Sequence, residues 1–163
     1  GVFKLAFSEN AQKVGMPLIP CREAKHIWTQ TRIIEDAVFG TDLTGANIIV
    51  SGGLGMGSRE NFKKLHTLAD MLGAAVGASR AAVAAGYAGY AHQVGQTGVS
   101  VRPDIYIAFG ISGAVQHLSG ISGAKKIYAV NHDPKAPIHE YADFSVIADC
   151  TSVLDKLIEK AGG

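Results

Sequence analysis

The sequence predicts an α/β fold, with a Rossmann-like parallel sheet and helices on both of its faces. From about Asn47 onward, short apolar runs alternate with stretches in which apolar residues recur at helical spacing, the pattern of repeated strand–helix units. The chain also has 20 glycines, most of them clustered next to an apolar run. Ligands of such sheets bind in the crevice at the carboxyl ends of the strands, so we expect the glycine-rich turns to face one common site.

The first predicted unit couples a strand over residues 48–50 to a helix over residues 60–72. Ser58 is the expected N-cap of that helix, because its hydroxyl can accept a free backbone N–H of the first turn, and Gly73 is its expected end. The later strands are predicted over residues 74–78, 104–109, 126–130 and 144–147, and the later helices over residues 80–85, 114–118 and 151–160, the last with Thr151 or Ser152 near its cap. Residues 2–7 could form a further strand.

Composition and charge exclude several classes of function. Apolar residues make up 47% of the 163 residues and charged residues 18%, which suits a folded domain rather than a disordered segment. The net charge is +1, so nothing favours a nucleic-acid partner, and no apolar run approaches the roughly 20 residues that membrane insertion needs. Cys21 and Cys150 lie far apart and no histidine has metal-ligand spacing, so neither a disulfide framework nor a metal site is expected.

Two glycine-rich turns are candidate phosphate sites. The strand over residues 104–109 runs into residues 110–113, Gly-Ile-Ser-Gly, directly before a predicted helix. The free N–H groups of a helix N-terminus attract phosphate, and Ser112 would add a hydroxyl donor; the alternative is a tight turn that needs glycine for its φ angles. Residues 53–57, within the turn over residues 52–58, resemble a dinucleotide fingerprint but lack the G-x-G-x-x-G spacing, so a structural turn is favoured there.

Polar residues follow the other predicted strands. Arg80, after Ser79, would lie at the carboxyl edge, where its guanidinium could hold a phosphate or lie against an aromatic ring; the alternative is an ordinary surface arginine. Gln96, Thr97 and Gly98 form a polar turn that would suit a flat ligand, although as a bare pattern it is no more than a loop.

Three further residues are candidates with a structural alternative. Asn131 and Asp149 each end a predicted strand, where Asn and Asp bind ribose or adenine but are also the usual turn and cap residues. His117 follows a helix start by a few residues, and an isolated histidine is more often structural than functional. The sequence shows no Ser-His-Asp arrangement, paired-carboxylate motif or P-loop, so neither hydrolysis nor phosphoryl transfer is expected.

Five segments occur in an order and at a spacing typical of one protein family. They are residues 77–83 (GASRAAV), 94–98 (VGQTG), 103–108 (PDIYIA), 110–118 (GISGAVQHL) and 131–138 (NHDPKAPI). Together they resemble the C-terminal FAD-binding domain of electron transfer flavoprotein alpha subunits, over about residues 42–160. The resemblance implies an FAD-binding domain over residues 41–163, preceded over residues 1–40 by a connector or the remnant of an N-terminal domain.

The resemblance implies an electron carrier component rather than a stand-alone enzyme. It implies that Arg80 lies against the isoalloxazine ring, where a fixed cation favours the reduced, anionic flavin. It also implies that Thr97 bonds near flavin N5 and that His117 lies by the C2 carbonyl. The other residues that it implies in FAD binding are Ser79, Gln96, Ser112 and Gln116 at the ribityl and pyrophosphate groups, Asn131 and Asp149 at the adenosine end, and Gly98, Gly110 and Gly113 in the turns.

The same resemblance implies partners and a location. The chain would form a heterodimer with a beta subunit and exchange electrons with partner dehydrogenases or a quinone reductase, in the bacterial cytoplasm or the mitochondrial matrix. The chain departs from the family pattern at Leu54 (usually arginine), Ala84 (often aspartate), Val99 (often lysine) and His132 (often lysine). The changes at Leu54 and Val99 could alter contacts with the beta subunit, and the change at His132 could weaken binding of the FAD phosphates or adenine.

Two other functions fit the predicted fold. A nicotinamide-dependent oxidoreductase or transhydrogenase-like nucleotide-binding domain would bind NAD(P)H and transfer hydride without flavin, but the turn over residues 52–58 is an imperfect fingerprint for it. A non-redox adenine-nucleotide sensor would bind AMP or ATP and show no flavin spectrum.

Overall fold

The computed structural model describes residues 42–162, which form a five-stranded sheet with helices around it. The strand order is β2-β1-β3-β4-β5, and every neighbouring pair is parallel. The strands are β1 (Ile48–Gly52), β2 (Ala75–Ala78), β3 (Ile105–Phe109), β4 (Lys126–Asn131) and β5 (Phe144–Ile147), and the helices are α1 (Arg59–Leu72), α2 (Arg80–Ala84), α3 (Val115–Ile121), α4 (Ile138–Tyr141) and α5 (Cys150–Ala161). The predicted fold class is confirmed. The predictions for residues 1–40, including the strand over residues 2–7, lie outside the described residues.

The strand order places a crevice between β1 and β3. The chain crosses from β1 to β2 on one side and then returns past β1 to add β3, β4 and β5 on the other side. The connections that leave β1 and β3 therefore lead to opposite sides of the sheet. They leave an opening at the carboxyl ends of these two strands, which is the usual ligand position in a doubly wound sheet.

Each face of the sheet has its own apolar core. In β1, Ile49 belongs to the core on one face and Val50 to the core on the other, because successive strand residues point to opposite faces. The Val50 core includes apolar residues of α1 and α5, and the Ile49 core includes residues of α3 and α4. Both faces of β1 are therefore covered, which explains why this strand is apolar without alternation.

Helix α1 has the N-cap and the C-terminal glycine that the sequence predicts, and it begins one residue earlier than predicted, at Arg59. The Ser58 hydroxyl accepts a hydrogen bond from the Asn61 backbone N–H at 3.1 Å. Gly73 ends the helix in the left-handed conformation, with φ of +61°. The buried residues, which pack against the sheet, are Phe62, Leu65, Leu68 and Ala69.

Among the later helices, α3 and α5 differ most clearly from the predictions. Helix α5 begins one residue early, and its N-cap is Asp149 rather than Thr151 or Ser152, because the Asp149 carboxylate accepts from the Ser152 N–H at 2.8 Å and from the Thr151 hydroxyl at 2.6 Å. Helix α3 continues to Ile121, three residues past the predicted end at Leu118. Within residues 42–162, no helix combines the length and the apolar character that crossing a membrane requires.

Candidate functional site

A cavity of about 760 Å³ lies at the carboxyl edge of the sheet. Its walls come from the loops that follow β1, β2, β3 and β4, and its size falls within the range typical of small-molecule and cofactor sites. The predicted site residues that line it are Ser79, Arg80, Gln96, Thr97, Gly110, Ser112, Gln116, His117 and Asn131. Gly98, Gly113 and Asp149 were also predicted as site residues, but they do not line this cavity.

The glycines after β1 and β3 bring two loops into backbone contact at the crevice. The Gly53 N–H donates to the Phe109 carbonyl at 2.8 Å, and the Gly55 N–H donates to the Gly110 carbonyl at 3.0 Å. A side chain on Gly53 or Gly55 would collide with the Gly110 backbone, and Gly110 itself has φ of +62°. The favoured structural role of the turn over residues 52–58 is thus what the structure shows, although Gly55 also lines the cavity.

A second pair of glycines joins the loop over residues 93–99 to α3. A side chain on Gly120 would meet the backbone of Gly95, so the two segments pack backbone against backbone. The Gln96 N–H donates to the Gln116 carbonyl at 2.7 Å. Gln96 and Gln116 therefore line the same cavity from two segments that are hydrogen-bonded to each other.

Ser79 and Arg80 are placed by the start of α2. The Ser79 hydroxyl accepts from the Ala82 N–H at 3.2 Å and caps the helix. Arg80 is the first helical residue and is exposed, and its guanidinium forms no ion pair with the described residues. The cavity therefore has a permanent positive charge at its wall that no carboxylate of residues 42–162 neutralises.

Two neighbours outside the cavity lining hold Thr97 in place. The Gln93 side-chain Nε2 donates to the Thr97 hydroxyl oxygen at 3.0 Å, and the Tyr90 hydroxyl donates to the Thr97 carbonyl at 2.6 Å. Gln93 is buried. Both the side chain and the backbone of Thr97 are thus fixed from behind the cavity wall.

His117 is a buried, neutral residue. Its Nε2 lies 3.0 Å from the Tyr106 hydroxyl, and its Nδ1 is buried without a well-aligned hydrogen-bond partner among the described residues. Burial lowers the pKa of His117 to about 4, and the nearby Val94 backbone opposes only part of that shift. The imidazole is therefore uncharged at neutral pH and has one buried ring nitrogen without such a partner.

Asn131 ties β4 to the loop after β3. Its side-chain Nδ2 donates to the Ile111 carbonyl at 2.9 Å, and its Oδ1 accepts from the Asp133 N–H at 3.0 Å. Asn131 is buried, so both ends of its amide already have protein partners. Asn131 lines the cavity, and its predicted contact with adenosine stays a prediction.

The three predicted site residues outside the lining have structural roles. Asp149 caps α5 and holds the Thr151 hydroxyl, and this hydrogen bond, more than the others, lowers the pKa of the Asp149 carboxyl. Gly113 has φ of +85° and lies against the backbone of Ile138. Gly98 lies against the Gln93 carbonyl, where a side chain would not fit.

Several lining residues carry no polar motif and were not predicted as site residues. Leu54, Ala84 and His132, three of the departures from the family pattern, all line the cavity. The remaining unpredicted lining residues are Gly55, Ala81, Val94, Gly95, Ile111, Ala114, Asp133 and Ala136. Most are apolar. A position just after a strand could have identified residues such as Leu54 and Ile111, but Ala84 and Ala136 lie farther along the chain and have no such signal. Among residues 42–162, no group of three potential ligands could hold a metal ion.

Comparison with known proteins gives the family. The family model described as the electron transfer flavoprotein FAD-binding domain matches residues 42–122. The chain is similar to the mitochondrial electron transfer flavoprotein subunit alpha of Oryza sativa subsp. indica, with 55% identity over 73% of this chain and 33% of the relative. It is also similar to the electron transfer flavoprotein subunit alpha of Bacillus subtilis, with 51% identity over 78% of this chain and 39% of the relative.

The similarity covers one part of a longer kind of protein. The subunit alpha of Paracoccus denitrificans is 54% identical over 73% of this chain and 39% of its own length. The chain thus spans between a third and two fifths of the curated relatives it matches. The resemblance inferred from five sequence motifs is confirmed, and so is FAD as the cofactor named in the description of the matched family.

Proposed function

Because this chain belongs to the electron transfer flavoprotein alpha-subunit family through its FAD-binding domain, we propose that residues 42–162 bind FAD in the cavity at the carboxyl edge and serve a one-electron carrier. The observation that carries this proposal is that the predicted site residues of several loops line the same cavity. Residues from four separate loops that the five motifs single out converge on one cavity of about 760 Å³. A nucleotide with a flat ring and a long pyrophosphate linker needs such an extended, loop-built site.

The residues present fit FAD on two structural grounds. The buried His117 Nδ1 has no well-aligned protein partner, and an unpaired buried polar atom is a costly feature that a ligand can relieve. In the turn after β3, the backbone N–H groups of Ser112 and Gly113 donate no hydrogen bond to the described residues. Those N–H groups and the Ser112 hydroxyl suit a pyrophosphate.

Bound FAD would supply the redox chemistry, and the residues of this chain would set where it lies and how easily it is reduced. Arg80 would provide a fixed positive charge at the cavity wall, which favours a ligand that gains negative charge. His117 would stay neutral and offer a hydrogen-bonding nitrogen, since its pKa is lowered to about 4. Apolar residues such as Val94 and Ile111 would exclude water from the ring.

The whole protein would act as an electron carrier in a heterodimer with a beta subunit. Its electrons would come from partner dehydrogenases and pass to a quinone reductase or another acceptor. Bacterial and mitochondrial relatives support a location in the bacterial cytoplasm or the mitochondrial matrix. Leu54 is 52% exposed at the cavity wall, which suits a further protein surface placed against this edge.

The test is binding of FAD by the full chain. We expect flavin absorbance to remain with the protein after addition of FAD and desalting, and FAD to bind more tightly than NADPH or AMP in parallel titrations. Tighter binding of NADPH would favour a nicotinamide-dependent function, and binding of AMP with equal strength to FAD would favour a nucleotide sensor.

A matched pair of variants assigns the binding to this cavity. Ala84 lines the cavity, whereas its neighbour Ala85 is exposed and does not line it. We expect Ala84→Phe to weaken FAD binding at least tenfold because the ring occupies cavity volume, and Ala85→Phe to leave it unchanged. Equal affinities of the two variants would place FAD elsewhere.

A further inference from the structure

We propose that Gln93 is a positioning residue that directs the Thr97 hydroxyl, so that this hydroxyl donates its proton into the cavity. The inference deepens the proposed function and rests on it. Thr97 lines the cavity, whereas Gln93 does not. Gln93 therefore acts on a bound ligand only through Thr97.

The contact between the two side chains is buried on the Gln93 side. Gln93 is 4% exposed, and its Nε2 donates to the Thr97 hydroxyl oxygen at 3.0 Å. Buried amide N–H groups are almost always paired, and breaking such a pair leaves a donor without water. The hydrogen bond to Thr97 is thus a fixed feature of this loop.

The loop around this contact is closed by its own backbone. The Gln93 carbonyl accepts from the Val99 N–H at 2.7 Å, and the Gly95 N–H donates to the Val99 carbonyl at 3.2 Å. The Tyr90 hydroxyl holds the Thr97 carbonyl at 2.6 Å. These contacts leave Thr97 little freedom to turn away from Gln93. The direction of the Thr97 O–H bond therefore depends on whether the group at residue 93 donates or accepts a hydrogen bond.

The polarity of Thr97 follows from the chemistry of a hydroxyl. A hydroxyl group can donate one hydrogen bond and accept two. Because Gln93 fills an accepting position, the Thr97 proton is directed elsewhere, and the cavity is the open side. The atom that faces Thr97 must then be an acceptor, such as an unprotonated ring nitrogen or a carbonyl oxygen of a flat ligand.

The substitution Gln93→Glu reverses this polarity with little change of shape. An ionised carboxylate only accepts hydrogen bonds, whereas a protonated carboxyl can donate. The ionised form would draw the Thr97 proton away from the cavity, and the protonated form would return it. The proposal therefore predicts an effect that is present at high pH and lost at low pH.

The measurement is the 15N resonance of bound FAD labelled at N5, the atom nearest Thr97 according to the resemblance. A hydrogen bond donated to such a nitrogen moves its resonance upfield. We expect the Gln93→Glu chain to show a downfield resonance above the pKa of the new carboxyl and a resonance like that of the unsubstituted chain below it. The unsubstituted chain should show no such pH dependence.

Two further variants keep the test decisive. In a Thr97→Val background, Gln93→Glu should no longer move the resonance; a shift that persists there would come from the charge acting through space and would overturn the proposal. If Gln93→Glu does not fold, Gln93→Met takes its place, since it keeps the length but cannot donate. A Gln93→Met chain whose N5 resonance equals that of the unsubstituted chain would also overturn it.

The outcomes separate this inference from the function on which it rests. Failure of the unsubstituted chain to bind FAD would remove both. Bound FAD with the same N5 resonance in the unsubstituted and Gln93→Glu chains at every pH would remove the role of Gln93 alone and leave FAD binding intact.

Discussion

The Nε2 atom of His117 lies 3.0 Å from the Tyr106 hydroxyl oxygen, and the two ring centroids are 6.0 Å apart. Tyr106 is fully buried in β3, and burial raises its pKa well above the ordinary range. The hydroxyl therefore stays protonated at all pH values at which the protein is studied. His117, which lines the cavity, is in this way anchored to the centre of the sheet.

Acidification should destabilise the chain through His117. Its pKa falls from 6.5 to about 4 on folding, so between these values the unfolded chain binds a proton that the folded chain does not. Stability that is fully present above about pH 6.5 is lost as the pH falls toward 4, with a slope of up to about 1.4 kcal/mol per pH unit.

The measurement is urea unfolding of the ligand-free chain between pH 4.5 and pH 7.5, compared with the same series for His117→Gln. Glutamine can keep a hydrogen bond to Tyr106 but does not titrate. Contributions of other groups, including His66, are common to both proteins and cancel in the difference. A difference in unfolding free energy that is constant with pH would show that His117 titrates normally.

Arg80→Ala should lower the reduction potential of bound FAD. The guanidinium is a permanent charge at the cavity wall, and loss of a nearby cation destabilises a ligand that gains negative charge by about 1 kcal/mol or more per electron. A redox titration of the reconstituted chain measures this. Arg59→Ala, which removes an exposed arginine that does not line the cavity, should leave the potential unchanged; equal shifts in both variants would reflect net charge rather than position.

The sequence predicted the sheet well because its strands carry a strong local signal. The strands are short apolar runs, and both faces of the central strand β1 are buried in the structure, as its successive residues Ile49 and Val50 show. The roles of Ser58 and Gly73 at the two ends of α1 could be predicted equally well, because helix N-caps and left-handed C-terminal residues depend on local chemistry. The convergence of the turns on one cavity followed from topology alone.

Contacts between distant segments could not be read from the sequence. The packing of Gly95 against Gly120 joins a loop to the last turn of α3, and the sequence around neither residue shows why glycine is needed there. Gln93 is polar yet buried, and only the structure shows that its side chain is hydrogen-bonded to Thr97. These features arise from tertiary packing, which local patterns do not encode.

The cap of α5 gives a prediction that corrects the sequence-based expectation. Asp149 accepts from the Ser152 N–H and from the Thr151 hydroxyl, so Asp149→Ala should lower the free energy of unfolding by about 1 kcal/mol. Thr151→Val, which removes only the hydroxyl, should cost less. Urea unfolding of the ligand-free chain compares the two variants. A larger loss of unfolding free energy for Thr151→Val would show that Thr151 is the cap.

Gly110 and Gly73 form a matched pair for the contact between the loops after β1 and β3. Both have nearly the same left-handed conformation, with φ of +62° and +61°, but an added Cβ at Gly110 would meet the Gly55 backbone at 2.7 Å, whereas at Gly73 it would meet nothing within 4 Å. Substitution by alanine costs about 1–2 kcal/mol for the left-handed conformation at either position. Overpacking at Gly110 should add a further ~1–3 kcal/mol, and should weaken FAD binding because it pushes apart the two loops that form the floor of the crevice. Gly110→Ala and Gly73→Ala are compared by urea unfolding and FAD titration; equal losses of stability with unchanged FAD affinity in both would show that the close approach of Gly110 to Gly55 is not needed for the site.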